Sequence, residues 1–518
     1  MMDLQMSSAD FVRVSCHPRR RPGLARGSIA RSLGALVTVF ALVAGMTGCA
    51  TNPVTGKREL SLVSESQEIA MGQASDKSVQ AEYGLYNDPA LAAYVDSIGQ
   101  SLARHSERPS LPWHFRVLDS PVVNAFALPG GYVYVTRGLL SVMNSEAQLA
   151  AVMGHEVGHV TARHSARQMT EQQIAQLGLG LGSILSARVA QYSGAASQGL
   201  GLLFLKFSRD NETEADMLGV RYATRAGYDP REMPDTYVTL AAVAARGGAG
   251  RLPTILQTHP DPGDRFQRTT ALASDAVAAL PAATQRTLTI REVRLKQAVD
   301  GLVYGDDPRQ GYSEGRAFYH PGLGFQMRWP ESWTIQNGST AVVAVAPAVA
   351  GATVTAQMQL SLVQSGDPAA FARQLATRQG VTAVNGNAEM IGGHAAWVGE
   401  IRATGAQGEQ VLQCAIVQRG ATTSLEFLGA PSSISGAFGE TARSVRDIDE
   451  ARRRVTPKQI ALARPLVGAP FTAFLATLSG LAAPADEIAM INNLSADERV
   501  TTRSIVKIVR QSAPTVSR

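Results

Sequence analysis

Cysteine is nearly absent from this chain. Three occur in 518 residues, at Cys16, Cys49 and Cys414. Cys16 falls within an N-terminal leader and Cys49 is expected to be lipidated, so Cys414 has no partner after processing and an intramolecular disulfide is excluded. Because Cys414 lies in the apolar, strand-like segment 411–417, we expect it to be a small core residue and not a nucleophile.

An excess of charge of one sign is also missing once the leader is set aside. The chain carries 48 basic and 43 acidic residues, but six arginines and two acids lie in residues 1–49. The remainder holds 42 basic and 41 acidic residues. The basic overall balance therefore gives no argument for nucleic-acid binding, and we expect no nucleic-acid partner.

The apolar run of the leader is too short to span a membrane comfortably. Five arginines between positions 19 and 31 precede the apolar run 33–46, and Met46-Thr47-Gly48-Cys49 follows. This order predicts a signal peptide over 1–48 with a bacterial lipobox, lipidation of Cys49 and a tether over 49–63. The residues after Cys49 are Ala50 and Thr51; the absence of Asp there is typical of lipoproteins at the periplasmic face of the outer membrane. An ordinary signal peptide cut nearby and an uncleaved anchor are the alternatives.

What the chain does contain is a metal-site pattern, His155-Glu156-Val157-Gly158-His159. Two histidines four apart on a helix project from the same face and can bind one cation. Glu156 follows the first ligand and can take a proton from a metal-bound water, so the pattern supplies two zinc ligands and a general base. Ser145 and Gln148 resemble a capping box, which predicts a helix over 145–167.

A third ligand is needed, because a catalytic zinc site has three protein ligands and an open position. Glu212 and Asp216 are four apart and share one face of a predicted helix. We expect Glu212 to bind the metal and Asp216 to accept the free N–H of a ligating histidine. Glu214 lies on a different face and is left out of the predicted site.

These two patterns, HExxH followed by ExxxD, resemble the HtpX/BepA-like zinc metallopeptidases, the gluzincin family that includes the Ste-type CAAX proteases. Three further segments resemble the family in the same order: 52–68, which is similar to the mature start of its periplasmic lipoprotein branch, 124–131 and 258–265. The resemblance covers roughly residues 50–270 and implies a zinc endopeptidase with one Zn²⁺ per chain.

The segment Asn124-Ala125-Phe126-Ala127 resembles the family's edge strand beside the cleft. A strand there can pair its backbone with an extended substrate peptide, which gives affinity with little sequence preference. The alternative is an internal hairpin strand that has no free edge.

The segment around Thr258-His259-Pro260 resembles the block that closes the family's peptidase domain. His259 can bind zinc as a fourth ligand until substrate displaces it, polarise the scissile carbonyl or its oxyanion, or only brace a loop. Arg265 can contact the oxyanion or form a salt bridge with Asp261 or Asp264. The other histidines, including His164, lack partners at ligand spacing, and we expect surface or structural roles for them.

The length of the chain and the changes in its pattern along the sequence predict several domains. Residues 64–300 read as the peptidase domain, with two helices between 64 and 105 and a helix break at 227–230. The apolar segment 174–206 is interpreted as a helical hairpin or mobile cover over the cleft, with a transmembrane helix as the alternative. Residues 310–450 alternate as strands with helices at 367–379 and 434–447, an α+β accessory domain. Residues 457–518 resemble a LysM-like unit. The predicted fold class is α+β: a mainly helical zincin domain with a short edge-strand sheet, an antiparallel-sheet domain and a small C-terminal unit.

The predicted function is a zinc metalloendopeptidase that cleaves misfolded or unassembled envelope proteins. Its expected partners are unfolded or extended proteins and, through the lipid anchor, a membrane, with outer-membrane assembly machinery or peptidoglycan as further candidates. Two alternatives stay open: a chaperone-like outer-membrane assembly factor, and a cell-wall-binding lipoprotein with a structural zinc. The sequence does not indicate the physiological substrate, the cleavage specificity or the oligomeric state.

Overall fold

The computed structural model describes residues 49–178, 207–246, 259, 262–338, 340–347, 356–405 and 408–512. The chain divides into two units, residues 1–49 and residues 50–518. The leader predicted at 1–48 and most of the cover predicted at 174–206 lie outside the described residues. In the described part of the chain, no helix is long and apolar enough to cross a membrane.

The part of the chain before residue 300 is mainly helical. Its helices are α1 (Glu65–Tyr83), α2 (Pro89–Arg104), α3 (Arg137–Val142), α4 (Glu146–Thr161), α5 (His164–Gly178), α6 (Arg209–Arg225), a 3₁₀ turn (Pro230–Glu232), α7 (Met233–Arg246), α8 (Pro262–Ala278), α9 (Ala282–Gln285) and α10 (Glu292–Ala298). Its strands are β1 (Cys49–Thr51), β2 (Arg58–Leu60), β3 (His114–Leu118), β4 (Ala125–Leu128) and β5 (Tyr132–Thr136).

Polar side chains cap the helices that carry the predicted site. The Ser145 hydroxyl accepts a hydrogen bond from the backbone N–H of Gln148 at 3.0 Å and starts α4. Ser208 caps α6 in the same way, through the N–H of Asn211 at 3.2 Å. Each cap satisfies a backbone donor that has no partner within the helix, so the start of each ligand-bearing helix is fixed locally.

The helix predicted over 145–167 is two helices, and the single-helix prediction is wrong. The chain turns at Arg163, which has a left-handed φ of 58°. The guanidinium of Arg163 is held by the Glu68 carboxylate and by the Val63 carbonyl, the latter at 2.6 Å. These contacts from the segment before and within α1 stabilise a backbone conformation that a non-glycine residue seldom adopts.

A three-stranded sheet lies beside the ligand-bearing helices. Its order is β3-β5-β4, with β3 parallel and β4 antiparallel to β5. Among the described strands, β4 pairs with β5 alone, so its outer edge is free. The strand runs from Ala125 to Leu128, one residue further along the chain than the segment 124–127 named from the sequence.

The accessory part contains an antiparallel sheet of order β12-β13-β14-β15-β11-β10-β9 and a smaller one of order β16-β8-β7-β6. Its elements are a 3₁₀ turn (Pro308–Gln310), β6 (Tyr312–Glu314), β7 (Ala317–His320), β8 (Phe325–Arg328), β9 (Thr334–Asn337), β10 (Ala341–Val345), β11 (Gln357–Val363), α11 (Pro368–Leu375), β12 (Val381–Ile391), β13 (His394–Gly405), β14 (Gly408–Gln418), β15 (Ser424–Ala430), a 3₁₀ turn (Ser432–Ile434), α12 (Ser435–Arg443), β16 (Arg446–Asp447) and α13 (Glu450–Arg453).

Two apolar clusters hold this accessory part together. Phe318, Trp329 and Phe438 belong to the cluster that joins the small sheet and α12 to the large sheet. Phe371 of α11 belongs to the second cluster, which also holds the fully buried Cys414 of β14. The strand β12 was not predicted, because its Asn-Gly-Asn centre interrupts the apolar alternation that identifies a strand.

The C-terminal part pairs its first and last strands, β17 with β20, in an antiparallel ribbon. Its elements are β17 (Lys458–Ala463), β18 (Ala469–Pro470), α14 (Phe471–Ala476), α15 (Ala485–Asn492), β19 (Arg499–Val500) and β20 (Val506–Gln511). Ile460, Ile491 and Val509 belong to the main core of the helical part. The buried Lys507 ammonium donates hydrogen bonds of 2.8 Å to the carbonyls of Ser141 and Met143.

Helices and antiparallel sheets alternate in blocks along the chain, so the predicted α+β class is confirmed.

Candidate metal centre

Helices α4 and α6 position the predicted metal-binding side chains. All sixteen residues of α4 are buried, including His155 at 4% and His159 at 3% exposure. Glu212 in the first turn of α6 is 2% exposed. Charged and imidazole groups at this depth need partners, because burying a polar group without one is costly.

Four side chains bring their potential ligand atoms within 4.8 Å of one another: His155, His159, Glu212 and His259. The Nε2 atoms of His155 and His159 lie 3.0 Å apart, and the first lies 3.3 Å from His259 Nδ1. Glu212 Oε1 lies 2.9 Å from His259 Nδ1 and 3.5 Å from His159 Nε2. His259, which the sequence left open between three roles, is therefore inside the cluster.

This spacing fits one zinc ion. Nitrogen and oxygen ligands placed at about 2.1 Å around a tetrahedral Zn²⁺ lie about 3.4 Å from one another. Four of the distances between these ligand atoms lie between 2.9 and 3.5 Å, and all the ligand atoms lie within 4.8 Å of one another. Imidazole and carboxylate are also ligands that zinc prefers, so the predicted cofactor is supported by the donor set and by its geometry.

Glu156 lies at the edge of the cluster with one carboxylate oxygen unsatisfied. Its Oε1 is buried, makes no hydrogen bond and lies 3.7 Å from His259 Nε2. A cavity of about 20 Å³ adjoins Glu156 and His155, with Val152 and Leu240 in its wall. Such a volume holds one water molecule, so a water can sit between the cluster and a carboxylate that is able to accept its proton.

Asp216, predicted to contact a ligating histidine, lies behind His155. Its Oδ1 lies 3.0 Å from His155 Nδ1 and accepts hydrogen bonds from the Tyr237 hydroxyl at 2.9 Å and the Arg265 guanidinium at 2.7 Å. A histidine that donates its Nδ1–H to a carboxylate presents the lone pair of Nε2, the atom that faces the cluster.

The partners of Arg265 differ from those expected. The sequence suggested Asp261 or Asp264; Asp261 is outside the described residues and Asp264 is exposed. Arg265 is 4% exposed and pairs with Asp216 and, through Nη1 at 3.1 Å, with Glu212 Oε2. That contact lacks the direction of a hydrogen bond, since Glu212 Oε2 makes none. The ion pairs form because α8 packs against α6 and delivers the guanidinium between both carboxylates.

Electrostatics keep two of the ligand groups, Glu212 and His159, in a metal-binding protonation state. Burial raises the pKa of Glu212, but His259, His155 and Arg265 outweigh it and lower the pKa to about 2. Burial, and then the neighbouring His155, lowers the pKa of His159 well below its usual value. Near neutral pH the carboxylate is therefore ionised and the imidazole of His159 neutral, as metal ligation requires.

Sequence reasoning missed a histidine that contacts the cluster and the glutamate that lies behind it. His164 is fully buried, and its Nδ1 lies 2.8 Å from His159 Nδ1. On its other side His164 Nε2 lies 3.1 Å from the carboxylate of Glu214, the residue that was left out. The break at Arg163 turns His164 back toward His159, so the helical spacing that excluded it did not apply. In the sequence, this contact was indicated only by a histidine that follows a predicted ligand by five residues.

The predicted edge strand adjoins the cluster. Ala127 of β4 and His159 of α4 line the same small cavity. The Asn124 side-chain oxygen is buried and has no hydrogen-bond partner. The strand thus lies beside the metal centre, and its pairing with a substrate stays a prediction.

A buried three-imidazole and carboxylate cluster, with a glutamate beside a water-sized cavity, defines a metallopeptidase site. Residues 89–273 match the model of Peptidase family M48. This match confirms the resemblance to a zinc metallopeptidase family that was inferred from the HExxH and ExxxD patterns.

Known proteins support the same class. The chain is 37% identical over 225 residues to the "Beta-barrel assembly-enhancing protease" of Escherichia coli K12, covering 42% of this chain and 46% of that protein. It is 33% identical over 222 residues to the "Mitochondrial metalloendopeptidase OMA1" of Schizosaccharomyces pombe, covering 42% and 64%. The chain thus spans about half the length of the bacterial relative. Among solved structures, LpqN of Mycobacterium tuberculosis matches with 17% identity, over 24% of this chain and 83% of that one, at a TM-score of 0.21, too low to carry an argument.

Proposed function

We propose that this protein is a zinc-dependent endopeptidase that cleaves misfolded or unassembled envelope proteins. The observation that carries the proposal is the Glu156 carboxylate, buried and unsatisfied beside four clustered ligand groups. A buried carboxylate oxygen without a hydrogen-bond partner is costly, so its presence there points to a use in chemistry. The names of the relatives, a protease and a metalloendopeptidase, are consistent with this assignment.

The residues of the chain divide the reaction between them. His155, His159 and Glu212 would hold the zinc, which when bound supplies a Lewis acid that polarises water and the scissile carbonyl. Glu156 takes a proton from the attacking water as the new C–O bond forms. The same glutamate then gives that proton to the leaving amine as the C–N bond breaks.

His259 and Arg265 support this reaction in different ways. His259 Nδ1 faces His155 and Glu212, at 3.3 and 2.9 Å, which favours its role as a fourth ligand in the resting site. Its Nε2 faces Glu156, from where it can donate to the oxyanion once substrate displaces it. Arg265 is held by ion pairs to Asp216 and Glu212 and so contributes positive charge beside the cluster.

Strand β4 is the proposed substrate-binding edge, with Asn124, Ala125, Phe126 and Ala127 facing the peptide. Its free edge can add an extended chain as a further strand through backbone hydrogen bonds. This mode selects unfolded segments over folded domains, because only an extended chain offers an unpaired edge.

The proposed location is the periplasmic face of the bacterial outer membrane, anchored through lipid on Cys49. The leader composition supports the anchor, and the name of the E. coli relative supports an envelope role. We keep the boundaries 49–63 for the tether, 64–300 for the peptidase domain, 310–450 for the accessory domain and 457–518 for the LysM-like unit as proposals. The last two would bind or position substrate, assembly machinery or peptidoglycan.

The test is a Glu156→Gln variant assayed on casein as an unfolded substrate. The amide keeps the size of the side chain but cannot accept the proton, so zinc content should be unchanged and cleavage should fall about 10²–10⁴-fold. Glu171→Gln, an exposed position on α5, is the matched control and should cleave normally. Full activity of Glu156→Gln would overturn the general-base assignment.

A chaperone-like assembly factor, or a wall-binding lipoprotein with a structural zinc, is the second candidate. The observation that favours it is the fourth buried group, His259, since structural zinc sites are closed by four protein ligands. Casein digestion with and without a chelator separates the candidates. Chelator-sensitive cleavage supports the peptidase, whereas zinc-loaded protein that cleaves nothing supports the second candidate.

A further inference from the structure

The two histidines of the HExxH pattern are oriented by different partners. His155 Nδ1 faces the carboxylate of Asp216 at 3.0 Å. His159 Nδ1 instead faces a second imidazole, His164, at 2.8 Å, and His164 Nε2 faces Glu214 at 3.1 Å. We propose that His164, backed by Glu214, is a positioning residue that fixes the tautomer and orientation of His159 for zinc, an inference that rests on the proposed function.

His159, His164 and Glu214 form a hydrogen-bonded relay. The direction of its hydrogen bonds follows from Glu214, the group at its outer end. An ionised Glu214 carboxylate can only accept, so the proton on the His164 ring sits on Nε2. His164 Nδ1 is then an acceptor and His159 Nδ1 the donor, since one proton lies between the two nitrogens. His159 Nε2 is left with a free lone pair, and this is the atom 3.0 Å from His155 Nε2 and 3.5 Å from Glu212 Oε1.

Neighbouring groups hold the relay in place. Arg167 donates to Glu214 at 3.3 Å and to the side-chain oxygen of Asn211 at 2.8 Å, which ties α5 to α6. The Phe207 ring stacks on the His159 imidazole, with centroids 4.2 Å apart and planes inclined by 24°. The His159 imidazole is therefore packed on its face and hydrogen-bonded at its edge. Its orientation toward the cluster thus does not depend on the metal alone.

The experiment measures zinc affinity of the full chain by competition with a chelator, so it does not depend on proteolysis. His164→Ala should weaken zinc binding by about 10–100-fold, the usual effect of losing a group that orients a ligand. His164→Gln retains an acceptor oxygen and should recover most of that loss. Glu214→Ala should weaken binding by about tenfold. Glu171→Gln, exposed on the same helix as His164, should bind zinc as the wild type does.

A second measurement separates positioning from simple folding defects. In protein loaded with Co²⁺, the visible ligand-field bands should change in Glu214→Ala and His164→Ala, while circular dichroism stays as in the wild type. Unchanged bands, together with zinc affinity within twofold of the wild type, would overturn the relay. If the wild-type protein binds no zinc, the proposed function is wrong. If the wild type binds zinc and the variants match it in zinc affinity and in Co²⁺ bands, only the relay is wrong.

Discussion

The close contact between α4 and α6 yields the sharpest prediction, Gly219→Ala. Gly219 lies on α6 opposite His155 on α4. A Cβ at this position would lie 3.0 Å from the His155 backbone nitrogen and 3.2 Å from its Cα. The partner atoms are backbone and cannot rotate away, so the helices must separate by a few tenths of an ångström.

The magnitude follows from two opposing terms. Alanine in place of glycine inside a helix stabilises by about 1 kcal/mol. Overpacking of a close contact costs about 1–3 kcal/mol. We expect Gly219→Ala to lower the free energy of unfolding by about 1 kcal/mol net. Zinc affinity should also fall about tenfold, because Glu212 is carried on the displaced helix.

The assay pairs urea unfolding with chelator competition and uses Gly436→Ala as the control. Gly436 is an exposed helical glycine of α12 whose added Cβ would meet nothing within 4 Å. This control should gain up to about 1 kcal/mol and keep its zinc affinity. If Gly219→Ala is stabilised as the control is and binds zinc normally, the two helices do not set the metal geometry by their contact.

Two further predictions concern the accessory part. Burial lowers the pKa of His320 to about 4 from an ordinary 6.5. Between these values the unfolded chain binds a proton that the folded chain does not, so stability falls as the pH drops from 6.5 toward 4, by up to about 3 kcal/mol. Urea midpoints should therefore decline less for His320→Gln than for the wild type between pH 7 and 5, and equal declines would contradict the shift. Cys414 is fully buried, and burial raises the pKa of its thiol. Iodoacetamide should thus modify it only after denaturation, as mapped by peptide mass; rapid labelling of the folded protein would show that β14 is not in a closed core.

Local periodicity was enough to identify most of the metal centre. His155 and His159, like Glu212 and Asp216, are four apart, and a helix places such pairs on one face whatever surrounds it. The cap Ser145 is likewise local, and α4 starts where the sequence indicated. The contact of Asp216 with His155 could be inferred because a ligating imidazole needs an acceptor behind it.

Residues outside that periodicity were assigned poorly or not at all. His259 lies 47 residues from Glu212, and no local rule relates the two. The real partners of Arg265 come from a different helix, and the sequence suggested near neighbours instead. His164 was dismissed because a straight helix would carry it away from His159, whereas the turn at Arg163 brings it back.

By itself, then, the amino-acid order was enough to predict an α+β chain and a pair of helical motifs that carry the residues of a metal site. Which groups close around that metal was decided by tertiary packing. Three features decided this packing: the glycine contact between α4 and α6, the left-handed turn at Arg163 and the packing of α8 against α6. They depend on excluded volume and burial between segments that are distant in the sequence. Such contacts have no fixed spacing along the chain, so no periodic pattern records them.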